Sequence, residues 1–451
     1  ALQGVYFDDL DAFQIMHNAR YVLLFERTIG SFWRALGWGG PLDADTNPDQ
    51  WHLVRQNHVD YLRPVEGIGQ VRVRVWVEKL GRTREGDPIP FSGQRASVLE
   101  TLRHILAKRG GQPVCEAEHL IGIDAPWGAI SLEPGGQVEW SSRPHATLDG
   151  LRADLDAHLD VMGQAGAELG IDWLDVAVDP ELGVAEMPWM PKARYKIMRP
   201  YMGERGRLAH RMMTQSASIQ VAFDYSDPED WRRKFKAAAL ATPVAVALFA
   251  NSSRIDGADS GYRSYRQMIW RETEPDRCGL PASVFEPGFG LETWLDYALD
   301  VPTMFRHRGR GLIPTGGIPF RDLLGLTGCD AMKPEDWETH LSSIFTEVRS
   351  YGYIEVRSAD LQPDERCIAV PVFWTGRLYH EGALDRALAL GSGLESHAAW
   401  AEAVESAARL GLEGRMAGRP RSELARELLA LSRRGLLDGA ACAGDGEAQA
   451  R

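Results

Sequence analysis

The stretch Ile130–Trp140, ISLEPGGQVEW, sets two acids, Glu133 and Glu139, on either side of a Pro-Gly-Gly turn. Glycine loses more backbone freedom on folding than any other residue, so a Gly-Gly pair persists where a tight turn or a close approach requires it. If the residues after the turn form a strand, both carboxylates can face the same way. Exposed acids ordinarily do no more than solvate a turn. A pair held this tightly raises the question of what it holds, and the rest of the chain is read around it.

The chain has 451 residues and a formal net charge of −13. That length has room for two or three domains. The acidic balance argues against a nucleic-acid partner, because phosphate neutralisation needs clustered Lys and Arg. Cys115, Cys278, Cys329, Cys367 and Cys442 are scattered and without C-x-x-C spacing, which indicates neither a disulfide framework nor a zinc site. No apolar run approaches a membrane span, and ALQGVYFDDLDAF lacks the basic start and apolar middle of a signal peptide. The expectation is a soluble cytoplasmic protein with no membrane partner.

The early residues read as strand, helix, strand, strand. Tyr21, Leu24, Phe25, Ile29, Phe32, Trp33 and Leu36 recur at three- and four-residue spacing and predict one apolar helix face ending at Gly37. In QVRVRVWVEKL, Val71, Val73, Val75 and Val77 alternate with Arg72, Arg74 and Trp76, the pattern of a half-buried strand. The turn-rich GRTREGDPIP predicts a boundary between Gly81 and Pro90. Beyond it, TLDGLRADLDAHLDVMGQAGAELG and DPEDWRRKFKAAALATPVAVALFAN predict helices, the second opened by Asp227 with Pro228 in its first turn. SASIQVAFDY and YGYIEVRSAD predict strands, and residues 381–437 predict wholly helical structure. The domains expected are 1–83, 84–438 and a disordered tail over 439–451, and the larger part is α+β.

Near the start, FDDLDAFQIMHNARYVLLFE places Asp11 just ahead of a helix, with His17 and Tyr21 one turn apart. By spacing alone Asp11 is either a helix cap or a base beside free backbone amides. The segment resembles the start of hotdog-fold acyl-CoA thioesterases of the 4-hydroxybenzoyl-CoA type, and HLVRQNHVDYLRPV and VRVRVWVEKLGRT resemble the strands that follow. The resemblance implies a catalytic carboxylate at Asp11, an acyl-CoA substrate and a homodimer. It ends near Thr83.

From about Arg84 a second resemblance takes over. ISLEPGGQVEWS, MPKARYKIM, MMTQSASIQVAFDY, ALFANSS, GYRSYRQMIW, DWETHLSSIFTEVRSYGYIEVRSAD and AVPVFWTGRLY stand in the order found in glutamate-cysteine ligases of the plant and proteobacterial type. That family is related to glutamine synthetase, which implies an antiparallel sheet backed by helices. It implies an ATP- and Mg²⁺-dependent ligase that makes γ-glutamylcysteine, or another γ-glutamyl amide, through γ-glutamyl phosphate.

Mg²⁺ prefers hard oxygen ligands, and the resemblance gives it Glu133, Glu139 and Glu355. Phosphoryl transfer depends on positioning and charge neutralisation, and the matching motifs offer Lys192 and Arg357 for the nucleotide. Arg194 and Arg266 fall to glutamate and catalysis, with Tyr195, Arg263 and Trp270 as further substrate-binding positions. Each of these arginines, taken singly, also reads as a surface salt bridge. The family's early Glu-x-Glu strand finds no counterpart ahead of residue 84, where the hotdog-like segment stands. Two other readings remain beside the ligase: acyl-CoA hydrolysis at Asp11, and a catalytically dead hybrid that only binds.

Overall fold

The computed structural model describes residues 72–309 and 311–442. Asp11, His17, Tyr21 and the helix expected around them lie outside the described residues, as do residues 443–451.

Eight described strands form one antiparallel sheet. They are β1 (Val73–Lys79), β2 (Gln112–Glu116), β3 (His119–Ala125), β4 (Gly128–Leu132), β5 (Val138–Ser142), β6 (Ser218–Phe223), β7 (Val348–Ser350) and β8 (Ile354–Asp360). Their spatial order is β7-β8-β6-β1-β5-β4-β3-β2. In β1 the valines Val73, Val75 and Val77 are buried, while Arg74, Trp76 and Glu78 point the other way. The same alternation buries Val138 and Trp140 of β5 and Ile219, Val221 and Phe223 of β6.

The position of β1 corrects the expected organisation. The sequence reading gave this strand to the hotdog-like segment and placed the boundary at residue 84. In the structure β1 pairs with both β5 and β6 at the middle of the sheet, and the chain divides between Gln70 and Val71. An alternating pattern specifies which face of a strand is apolar, not which sheet receives it.

Helices cover the apolar face. Up to Arg271 the described helices are α1 (Val98–Arg109), α2 (Leu148–Leu169), α3 (Ala193–Arg205), α4 (Ala209–Gln215), α5 (Pro228–Leu248) and α6 (Tyr265–Arg271), of which α1, α2 and α5 lie on that face. α2 starts where the Thr147 hydroxyl accepts from the Gly150 amide, and stops at Gly170 in the left-handed region. α5 starts where the Asp227 carboxylate accepts from the amides of Glu229 and Asp230. α5 packs on β8, α2 on β5 and α1 on β3, which closes the apolar side of the sheet.

The C-terminal part contains α7 (Ala369–Leu378), α8 (Glu381–Gly391), α9 (His397–Leu410) and α10 (Arg421–Cys442). It is not wholly helical. Gly411 and Gly418, both at positive φ, and Pro420 break it with a short hairpin pairing Arg415–Met416 with Arg419–Pro420. α10 continues to Cys442, past the expected start of a tail at residue 439.

The Pro-Gly-Gly turn connects β4 to β5. The Glu133 amide donates to the Gln137 carbonyl at 3.0 Å, and the Gly136 amide returns to Glu133 at 3.0 Å. Gly136 adopts φ +91°, and a Cβ on Gly135 would stand 2.1 Å from the Thr214 carbonyl oxygen. The Gln137 amide group donates to the carbonyls of Met213 at 3.2 Å and Ser216 at 2.9 Å. The two glycines thus let the turn lie directly on the end of α4, and that contact fixes where Glu133 points.

Gly135→Ala should lower stability by about 2–3 kcal/mol, because backbone occupies the space the methyl needs. Gly163→Ala, inside α2 with open space around it, should raise stability by about 0.5–1 kcal/mol. Urea denaturation of both variants checks this; equal midpoints would remove the close-approach argument.

Candidate active site

The polar face of the sheet is built by the same period of two that buries the valines. Glu78 of β1 stands directly opposite Glu139 of β5, and Trp76 stands opposite Gln220 of β6. These four side chains, with Glu133 from the turn and Arg357 from β8, line a cavity of about 260 Å³. Its remaining wall includes Arg194, Tyr195, Trp270, Arg349, Tyr351 and Tyr353.

The acids are held together against their charge. Burial pushes the Glu78 carboxyl up to about 7, and repulsion by Glu133 adds to it, although Arg266 and Arg357 pull the other way. Burial also raises Glu139 well above the ordinary carboxylate range, with Glu133 and Glu78 contributing. Neutral groups satisfy part of their hydrogen bonding. The Gln220 amide donates to Glu78 at 2.9 Å and the Ser218 hydroxyl to Glu78 at 3.2 Å, while the Ser131 hydroxyl donates to Glu139 at 2.8 Å.

Arginines line the same cavity. Arg194, at the start of α3, lies 5.6 Å from the Phe305 ring, and its buried Nε has no hydrogen-bond partner among the described residues. The Tyr195 hydroxyl donates to the Leu132 carbonyl at 2.5 Å, and the Lys192 ammonium donates to the same oxygen at 3.1 Å. Burial holds the Lys192 ammonium below the usual lysine value. The Lys192 side chain thus braces β4 beside Glu133 and is not part of the cavity wall. Arg357 pairs with Glu355 at 2.5 Å and donates to the Gln220 side-chain oxygen.

The structure therefore brings together Glu133, Glu139, Arg194, Tyr195, Trp270 and Arg357 of the positions read from sequence. Besides Lys192, three others stand outside the wall. Arg263 is exposed, 3.8 Å from Glu413 on another surface. Arg266 is only 2% exposed and lies behind the wall, donating to the Arg357 carbonyl at 3.2 Å. Glu355, expected as a metal ligand, has both oxygens engaged by Arg349 and Arg357 and does not line the cavity.

Sequence reading missed Glu78, Gln220 and Arg349. An acid does stand on a strand ahead of residue 84: β1 carries Glu78 into the cavity, two residues after Trp76 on the polar face. The signal was present: Glu78 continues the polar positions of Arg72, Arg74 and Trp76. It was assigned to the wrong sheet.

Buried, mutually repelling hard oxygens suit a divalent cation of the Mg²⁺ kind. As placed, no three acid, histidine or cysteine side chains among the described residues already converge on one point. The fit rests on the donor set: three carboxylates on one cavity, two of them pushed toward protonation by burial and by each other.

Comparison with known proteins agrees with this geometry. A family model described as Glutamate-cysteine ligase family 2 (GCS2) matches residues 78–447, starting at the first acid of the cavity. A second, Thioesterase-like superfamily, matches residues 5–125. The chain is 38% identical over 341 residues to a chloroplastic glutamate–cysteine ligase of Medicago truncatula, covering 74% of this chain and 66% of that one. It is 40% identical over 295 residues to the Nicotiana tabacum chloroplastic enzyme, covering 64% and 56%. The match thus spans between about half and two thirds of these relatives' length. A glutamate–cysteine ligase of Francisella tularensis in complex with AMP aligns at 11% identity and TM-score 0.40, covering 85% and 90%. The expectation of a cytoplasmic protein is overturned by these relatives, which are chloroplastic. With the family model covering most of its length and the acid cluster inside the match, the chain belongs to glutamate-cysteine ligase family 2.

Proposed function

We propose that this chain is an ATP-dependent ligase that joins the γ-carboxylate of glutamate to an amine, with cysteine as the acceptor. The observation that carries the reading is one cavity lined both by three carboxylates, Glu78, Glu133 and Glu139, and by three arginines, Arg194, Arg349 and Arg357. Glutamate and triphosphate are both anionic, so a site for them needs arginines for the carboxylates and a cation among the carboxylates for the phosphates.

In the reaction, a γ-carboxylate oxygen of glutamate attacks the terminal phosphorus of ATP and ADP departs. The amine then attacks the acyl carbon, phosphate departs and the ammonium proton is lost. Arg194 orients a substrate carboxylate, and the planar Arg357 guanidinium, fixed by Glu355 and Gln220, offers donors to the phosphoryl oxygens. Glu78, Glu133 and Glu139 would hold Mg²⁺, which when bound supplies neutralisation of phosphate charge. Trp76, Trp270 and Tyr353 wall the cavity and limit water, which would otherwise hydrolyse the acyl phosphate. Asp11, on which a thioesterase reading would stand, lies outside the described residues, and no described group favours that chemistry.

Release of ADP from MgATP by the purified chain should require both glutamate and cysteine. Glu133→Gln should lower it by about a hundredfold or more, the scale of losing a group that stabilises transferring charge. Undiminished ligation in that variant would remove the metal role.

A second test concerns stability. The folded Glu78 carboxyl, at about 7, keeps its proton over a range in which the unfolded one, at 4.5, has lost it. Folded chains without a divalent cation therefore bind the extra proton and lose stability as pH rises from about 4.5 through 7. In EDTA at pH 8, Glu78→Gln should be more stable than the parent by roughly 3 kcal/mol, a difference that vanishes near pH 4. Adding Mg²⁺ should stabilise the parent and not the variant. Melting curves that respond to Mg²⁺ alike in both proteins would contradict the assignment.

A further inference from the structure

α7 buries a stripe of four side chains, Val370, Phe373, Trp374 and Arg377, at the three- and four-residue spacing of one helix face. The first three are apolar. At the fourth place the helix buries a guanidinium, 1% exposed. α10 holds α7 in that position: a Cβ on Gly376 would overlap the Ser432 carbonyl, and the Ser432 hydroxyl donates to the Phe373 carbonyl at 2.6 Å.

The other fully buried arginines have acceptors. Arg277 meets the Glu274 carboxylate and the carbonyls of Ser343 and Pro302, Arg421 meets the carbonyls of Ser406, Gly411 and Arg415, and Arg266 meets the Arg357 carbonyl. In Arg377 both Nη1 and Nη2 are buried without a hydrogen-bond partner among the described residues. Burial alone acts on this guanidinium, pushing it down to about 9, so it remains charged at neutral pH.

Aromatic rings answer part of the charge and none of the hydrogen bonding. Arg377 Cζ lies 3.7 Å from the Phe373 ring centroid and 4.5 Å from that of Trp374, and both ring faces stabilise a cation. The N–H edges still need acceptors. Trp374 Nε1, in the same stripe, is a further buried donor without a partner among the described residues. The neighbourhood thus combines three orphan donor atoms with one positive charge. A water molecule that accepts from such groups brings two donors of its own, whereas an anion brings acceptors only and cancels the charge.

We propose that Arg377, with Trp374 beside it, is a buried site for a small, weakly hydrated monovalent anion of the halide kind, bound where α7 meets α10. Neither residue belongs to the wall of the ligase cavity, and the site does not depend on the ligase reading. Small size follows from the burial of Arg377, Phe373 and Trp374, each 1% exposed. Weak hydration follows from the cost of stripping an anion of its water before it enters. The bound anion stabilises the folded chain by mass action, because the unfolded chain has no such site.

The test is thermal melting of the intact chain at neutral pH, with sodium gluconate replaced by sodium chloride at constant ionic strength. Chloride resting on the cavity arginines would act on parent and variant alike, so the readout is a difference. Chloride should raise the Tm of the parent by about 5 °C more than that of Arg377→Met, and the extra rise should saturate. Trp374→Phe, which keeps a ring and loses the N–H, should need about fivefold more chloride to reach half of it. Equal chloride responses in the parent and Arg377→Met, the mark of water or of a counter-ion supplied by the chain itself, would overturn the proposal. Bromide soaked into crystals of the parent gives a measurement that needs no variant. An anomalous peak within hydrogen-bond reach of the Arg377 Nη atoms is expected, and its absence at saturating bromide overturns the proposal whatever the melts show.

Discussion

The pairing of β1 with β5 places Glu78 directly opposite Glu139, in the interior, with Glu133 close enough to repel both. Like charges opposed across neighbouring strands destabilise a sheet, and burial removes the water that would soften the effect. Such a pair persists only where the surrounding structure holds it. Here the valines on the reverse of β1 lock the strand to its helical layer, and the Gly135–Gly136 turn, seated on α4, locks Glu133. The rest of the site follows from this constraint, because concentrated negative charge sets what must stand across from it.

The same cavity carries arginines, two of which, Arg349 and Arg357, are already engaged by Glu355. Arg357 meets the cluster only through the neutral Gln220, while its charge is matched by Glu355 on its own strand. Arg266 stays behind the wall, against Asp360 and the Arg357 carbonyl. The two signs thus remain apart, each aimed into the cavity. Under the ligase reading proposed above, such a site would meet phosphate and carboxylate groups without first having to rearrange.

The two family matches overlap between residues 78 and 125, and the structure shows what the overlap contains. Those residues include the last two positions of β1, Glu78 and Lys79, and all of α1, β2 and β3, and these strands join the eight-stranded sheet. Strand-helix-strand is a pattern common to many antiparallel sheets, so local sequence can satisfy both descriptions at once. The pairing partners of β1 decide between them for this stretch.

Much was legible from the chain alone. The α+β class, the two long helices, the second with its Asp227 cap, the strands β6 and β8, and the acids flanking the Pro-Gly-Gly turn follow from periodicity and turn chemistry, because those are local properties of the backbone. Membership of the cavity was legible for Glu133, Glu139, Arg194 and Arg357 through their motifs. The place of Glu78 in the cavity, the ion pairs of Glu355 with two arginines, and the positions of Arg263 and Arg266 outside the wall were not. Those depend on register and on which strands lie side by side, over separations such as that between Glu78 and Gln220, 142 residues apart. Sequence determined which face each residue takes; only the tertiary structure decided which faces meet, because strand pairing is set by long-range burial that no local pattern encodes.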